Sequence, residues 1–141
     1  MRIAIGATAV LLLTGAGALA NEFERVPPVT HRATLKECGE CHMAYQPGLL
    51  PAAGWNRIMD GLADHFGDTA SLPPGVAAEI RAYLTRNAGG GNSRLIRVTD
   101  QRWWRRKHDF DPAIWTRRTV GARSNCEACH REAANGLYED D

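Results

Sequence analysis

Beyond its first twenty residues the chain has no apolar run long enough to cross a bilayer. It also has no sustained alternation of apolar and polar side chains, which removes any architecture built mainly of strands. Formal net charge is only +1, so no strong overall field draws the protein to nucleic acid or lipid. Aromatic residues amount to 7% and cysteine to four in 141. Split into two small parts, such a chain holds too little apolar material in each to build an adequate core unaided.

What is present is concentrated in the four cysteines. They form Cys38-Gly39-Glu40-Cys41-His42 and Cys126-Glu127-Ala128-Cys129-His130, with none left over. On a helix, residues three apart share a face, so each pair presents both sulfurs to one planar partner. The histidine that follows points at the centre of that partner. This arrangement tethers haem through its two vinyl groups and supplies an axial imidazole to iron. Two bland alternatives use the same cysteines. A disulfide within C-x-x-C closes too short a loop to be a useful staple. A tetrathiolate zinc site also uses C-x-x-C twice, but here 84 residues separate the pairs. Neither explains a histidine at the same offset twice. The reading is two covalently attached c-type haems, anchored by Cys38, Cys41, Cys126 and Cys129, with His42 and His130 as proximal iron ligands. Each porphyrin would also supply the apolar surface that the small parts lack.

The chain begins Met1-Arg2, continues through an apolar stretch and reaches Ala18-Leu19-Ala20. That layout describes a secretory signal peptide over residues 1–20, cleaved after Ala20. A retained anchor is the alternative, but the stretch is barely long enough to span and its second half is full of Gly and Ala. Export leaves a soluble mature chain from Asn21 to Asp141. Its charge is uneven: residues 21–80 carry four basic and eight acidic side chains, 81–123 eleven and three, and 124–141 one and five. Such asymmetry steers a redox partner into a docking orientation or pairs with haem propionates.

The pattern is mainly α. Thr34-Leu35-Lys36-Glu37 and Ser124-Asn125-Cys126-Glu127 each read as a capping box opening a helix that carries one cysteine motif. Met43 to Gly54 reads as a loop. Trp55, Ile58, Met59, Leu62 and Phe66 recur at helical spacing, with Gly67 as the stop. Pro73-Pro74 opens another helix with a stripe of Val76, Ile80, Tyr83 and Leu84. Asp111-Pro112 reads as the cap and first turn of a short helix through Trp115. The Gly-rich 89–93 reads as a linker between an N-terminal lobe, 21–88, and a C-terminal lobe, 94–141, each wrapping one haem.

Candidates for the other side of each iron are few. His65 lies beside the apolar face of Ile58, Leu62 and Phe66, and is the leading candidate; Met59 on the same broad face competes. Met43 directly follows a proximal histidine and is expected to pack. His108 sits in Trp103-Trp104-Arg105-Arg106-Lys107-His108, where paired tryptophans suggest a buried flat surface and the arginines suit propionates. It is the second distal candidate. His31 is expected to be exposed. Proximity pairs His65 with His42 and His108 with His130, while sequence spacing leaves a crossed arrangement open. Tyr45, Trp55, Tyr83, Trp115 and Tyr138 are expected to pack rather than conduct.

These residues resemble the dihaem cytochrome c family of bacterial periplasmic electron carriers. The resemblance runs from Glu37 to about Tyr138. It rests on the two C-x-x-C-H motifs with Met43-Ala44-Tyr45, Leu49-Leu50-Pro51, Trp55 with Met59, His65-Phe66-Gly67, Tyr83-Leu84, Trp103-Trp104, Lys107-His108 and Gly136. It implies two bis-histidine, low-spin haems, an N-terminal lobe similar to a small cytochrome c, and a periplasmic location. It also implies redox partners such as a small oxygen-binding c-type haem protein and a membrane cytochrome b. His65 and His108 match histidine positions of the family pattern, and His31 lies outside it. The resulting expectation is an electron carrier without a substrate; the rival is a haem enzyme or gas sensor with one open iron. Expression with functional cytochrome c maturation should yield a c-type haem absorption spectrum. Colourless protein with stoichiometric zinc would defeat the reading.

Overall fold

The computed structural model describes residues 25–139, so the expected signal peptide lies outside the described residues. The fold is mainly helical, with α1 Arg32–Cys38, α2 Ala52–Asp60, α3 Pro74–Arg86 and α4 Arg102–Lys107 joined by loops and short 3-10 turns. Among the described residues there is no strand, only two isolated antiparallel bridges, Arg25 with Leu137 and His65 with Asp68.

Helix α1 begins earlier than the expected capping box. His31 takes the cap position in an extended conformation, and its Nδ1 accepts from the Thr34 amide at 3.4 Å and pairs with Thr34 Oγ1 at 3.0 Å. With Nδ1 accepting, Nε2–H is the donor to Glu79 on α3, at 2.8 Å. The ring also stacks on Tyr83, centroids 4.8 Å apart and 18° from parallel. His31 is therefore half-buried rather than exposed, with Nδ1 committed to capping α1 and Nε2 to joining it to α3.

Helix α2 was expected to run from Trp55 to Phe66. It runs Ala52–Asp60 and ends at Gly61, whose N–H bonds the carbonyls of Arg57 and Ile58. Gly61 weakens helical continuation, and Leu62–Asp64 follow as a 3-10 turn. Helix α3 opens at Pro74 as expected, and its stripe buries Ile80 and Leu84 completely against Leu50, Trp55 and Met59. Each such aliphatic side chain contributes roughly 1.5–3 kcal/mol. Arg81 ties α3 to α2 through the Asn56 carbonyl at 3.1 Å and Asp60 at 2.7 Å.

The Gly-rich segment is held on both sides. Gly89 N–H donates to Leu50 O at 2.9 Å, while buried Gln101 exchanges two hydrogen bonds with the Asn92 backbone, at 2.8 and 3.2 Å. Arg57 also donates to the Ser93 carbonyl. Beyond α4 the backbone is loops and 3-10 turns. Pro112–Thr116 is capped by Asp111, which accepts from the Ala113 amide at 2.9 Å. The second cysteine motif was expected on a helix opened by Ser124 and Glu127. It forms only the 3-10 turn Cys126–Ala128, which no side chain caps; the Asn125 amide donates instead to Val120 O at 2.9 Å. Cys129 closes that turn, its N–H donating to the Cys126 carbonyl at 3.2 Å.

Residues distant in sequence close the molecule. Val26 N–H donates to Gly136 O at 2.8 Å. Gly136 is left-handed, φ 78°, and a Cβ there would stand 1.9 Å from the Val26 carbonyl oxygen. Fully buried Gln46 donates to the carbonyls of Ala133 and Ala134 at 2.8 and 3.2 Å. Gly136→Ala should cost about 2 kcal/mol or more, read as a lowered thermal unfolding midpoint. His31→Ala should cost about 1 kcal/mol, as loss of a helix cap does, and leave the visible absorption spectrum unchanged.

Candidate haem sites

The first motif leaves α1 at its end. Cys38 is the last helical residue, Gly39 caps it, and Cys41 and His42 follow in bends. His42 Nδ1–H donates to the Met43 carbonyl at 2.7 Å. A ligating histidine commonly gives its other ring N–H to a carbonyl in this way, which fixes the tautomer and frees Nε2 as the lone-pair donor. His65 stands across from it, with ring centroids 6.4 Å apart and planes 29° apart. A metal bonded to one nitrogen of each of two imidazoles at about 2 Å sets the centroids slightly over about 6 Å apart.

A tight turn delivers His65. His65 N–H donates to Asp68 O at 2.6 Å, and Gly67 N–H donates to the Asp64 carboxylate at 3.0 Å. Phe66 between them has φ 60°, a left-handed conformation that costs a bulky residue about 1–3 kcal/mol. The Arg97 guanidinium lies 4.0 Å from the Phe66 ring centroid. Burial, then the neighbouring His42 and Arg97, lower the His65 pKa. The imidazole is thereby held neutral, the form that binds metal.

Between the two imidazoles opens a cavity of about 330 Å³, with Cys38 and Cys41 on its wall and a lining of Leu50, Trp55, Ile58, Met59 and Leu62. Met59, the competing ligand, is buried in the core at that wall. Burial, and after it the neighbouring Glu37, raise the pKa of the Cys38 thiol. Sulfurs on the rim, apolar walls and two facing imidazoles fit a covalently held haem.

The second site repeats the pairing with other parts. His108 and His130 have ring centroids 6.0 Å apart and planes at 80°. Trp104, one turn before His108 on α4, fixes that ring twice. It stacks on the imidazole at 4.2 Å and 6°, and its carbonyl accepts from His108 Nδ1 at 2.9 Å. With Nδ1 donating, the ring's lone pair is on Nε2. Trp115 and Phe110 flank His108 at 6.3 and 5.9 Å. Burial pushes the Cys126 thiol up to about 11. Among the described residues no three His, Cys, Asp or Glu side chains converge as they would on a bare metal ion, so the tetrathiolate zinc site has no ligand cluster.

His65 thus lies against His42 and His108 against His130, while His31 is engaged elsewhere. Sequence reasoning missed Trp104 as the orienter of His108, although its spacing of four on one helix was a readable signal. It also missed Gln46, whose partners lie 87 and 88 residues away.

The protein has counterparts of known structure and family. Residues 34–138 match the family described as dihaem cytochrome c. A dihaem cytochrome c from Rhodobacter sphaeroides is 38% identical, with a TM-score of 0.72 over 78% of this chain and 98% of that one. A dihaem c-type cytochrome from Shewanella baltica is 40% identical, with a TM-score of 0.68 over 76% of this chain and 85% of the other. No curated protein matched the sequence. With both cysteine motifs inside a match that spans most of its length, the chain belongs to the dihaem cytochrome c family, haem electron carriers, and carries two covalently bound c-type haems.

Proposed function

We propose that this is an exported, periplasmic electron carrier in which each iron is held between two histidines, His42 with His65 and His130 with His108. The observation that carries the reading is the spacing of the two ring pairs, 6.4 and 6.0 Å, each with one member from a C-x-x-C-H motif. When bound, each haem supplies one iron that alternates between ferric and ferrous. The chain's own residues set the conditions. Carbonyl acceptors on Nδ1 of His42 and His108 hold both imidazoles in the ligating tautomer. Two like ligands would need little rearrangement as charge arrives, and with a histidine holding each side of the iron, oxygen and peroxide would find no place to bind. Bis-imidazole ligation also favours a lower potential than a histidine–methionine pair.

On this reading residues 21–88 and 94–141 each wrap one haem, joined by 89–93, and leader cleavage follows Ala20. Among the described residues no helix is long and apolar enough to cross a membrane. The partners are other redox proteins. The resemblance points to a small oxygen-binding c-type haem protein and a membrane cytochrome b, with the basic 81–123 stretch available to orient an acidic face.

Carbon monoxide should leave the dithionite-reduced spectrum of the purified protein unchanged. His65→Ala should open one iron and give a carbon monoxide shift in about half of the absorbance, and His108→Ala should do the same at the other site. A shift in the unmodified protein would instead establish an open iron and the sensor or enzyme reading.

A further inference from the structure

Two tyrosines cross between the haem sites in opposite senses. Tyr45 packs on the His42 ring, centroids 4.9 Å apart and planes 33° apart. Its hydroxyl donates to the Ser124 carbonyl at 2.5 Å, 79 residues along the chain. The same carbonyl accepts the Cys126 N–H at 3.1 Å, and Cys126 Sγ lies 3.7 Å from it. Tyr138 meets the His130 ring edge-on at 5.6 Å and donates to Gln46 Oε1 at 2.5 Å. Each tyrosine therefore touches the proximal histidine of one site and hydrogen-bonds to the segment that builds the other.

The two crossings differ in where they end. The Tyr45 crossing runs from an iron-binding imidazole, through one ring contact and one hydrogen bond, to the carbonyl beside a cysteine that anchors the second haem. Ser124 also lines the first cavity. The Tyr138 crossing ends on Gln46, which does not line that cavity and is tied instead to Ala133 and Ala134. It closes the two segments on each other without reaching the first iron's ligands.

We propose that Tyr45 is the relay between the two haem sites, joining His42 to Cys126 through the Ser124 carbonyl, and that the Tyr138–Gln46 pair fastens the two segments together without carrying the route. The proposal rests on the ligation proposed above. Electron tunnelling decays faster through empty space than through bonds and hydrogen bonds, so a short bonded route between sites governs how fast they share charge. One electron passes, leaving one site ferric and the other ferrous; no bond forms or breaks. Both phenolic protons stay in their hydrogen bonds, and neither tyrosine is oxidised. Tyr45 acts as a positioning residue, and its hydroxyl is the atom at issue.

Tyr45→Phe keeps the ring on His42 and removes only the bridging hydroxyl. Tyr138→Phe removes a hydrogen bond of the same length while leaving the Tyr45 crossing intact, and so serves as the structural control. The measurement is the intramolecular exchange rate in half-reduced holoprotein, obtained from haem-methyl NMR line shapes at several fields. The different ring-plane angles at the two sites should make those resonances distinct. Tyr45→Phe should slow exchange severalfold, with two haems retained and no carbon monoxide shift, whereas Tyr138→Phe should change it little. Tyr45→Leu, which also deletes the ring, should slow it further and serves if the phenylalanine variant does not mature. Equal rates in wild type and Tyr45→Phe would overturn the relay and assign exchange to direct contact between haem edges. Equal slowing by both phenylalanine variants would also overturn it, making Tyr45 a clamp only. A carbon monoxide shift in the unmodified protein would instead strike the ligation beneath the proposal.

Discussion

Facing imidazoles at one fixed span, 6.4 Å in one pair and 6.0 Å in the other, are the constraint to which the surrounding structure answers. A ring nitrogen aimed across such a gap must be held in one tautomer and one plane, and the chain achieves this with unlike means. His42 is fixed by the carbonyl next to it, His65 by a strained turn, and His108 by a tryptophan that both stacks on it and accepts its proton. Strain at Phe66 is the clearest sign that the placement of His65 outranks backbone comfort, since a bulky side chain at φ 60° is retained only where neighbours overdetermine it.

The same constraint explains how little regular structure the molecule carries. The first site is walled by two packed helices, α2 and α3, with a conventional cluster of Leu50, Trp55, Met59, Ile80 and Leu84 behind the cavity. The second site has the six residues of α4 and a series of 3-10 turns. A chain wound this loosely gains its apolar contacts from the plate it encloses and from the stacked aromatics Trp104 and Trp115, 5.5 Å apart. Covalent anchoring at two cysteines per haem makes such a thin wall sufficient, because the plate cannot leave.

Much of the site was legible in the residues. The cysteine motifs with His42 and His130, and the Ile80–Leu84 stripe, follow from spacing, because local periodicity and fixed offsets are what a sequence displays directly; His65 and His108 were candidates whose pairing with the motifs spacing left open. The misjudged features share a physical cause. His31 caps α1 although histidine is not among the usual capping residues, and only Glu79 and Tyr83 on another helix make that choice worthwhile. Helix α2 stops at Gly61 rather than Gly67, because delivering His65 requires a turn that an unbroken helix would have rotated away. The second motif is a 3-10 turn that no side chain caps, although Ser124 and Glu127 offered a capping box. Gln46 went unread, and the hydrogen bonds of Tyr45 and Tyr138 with it, because their partners lie most of the chain away and pattern at short range is silent about them.

The hydrogen bond from Val26 to Gly136 carries a temporal consequence. These residues are separated by almost the whole described chain, so this contact cannot form until nearly every residue has been synthesised. Contacts of such large sequence separation form late and slowly. A molecule closed by such a seam folds more slowly than one whose contacts are all between neighbours, because the loop between Val26 and Gly136 must be brought together before the contact repays it.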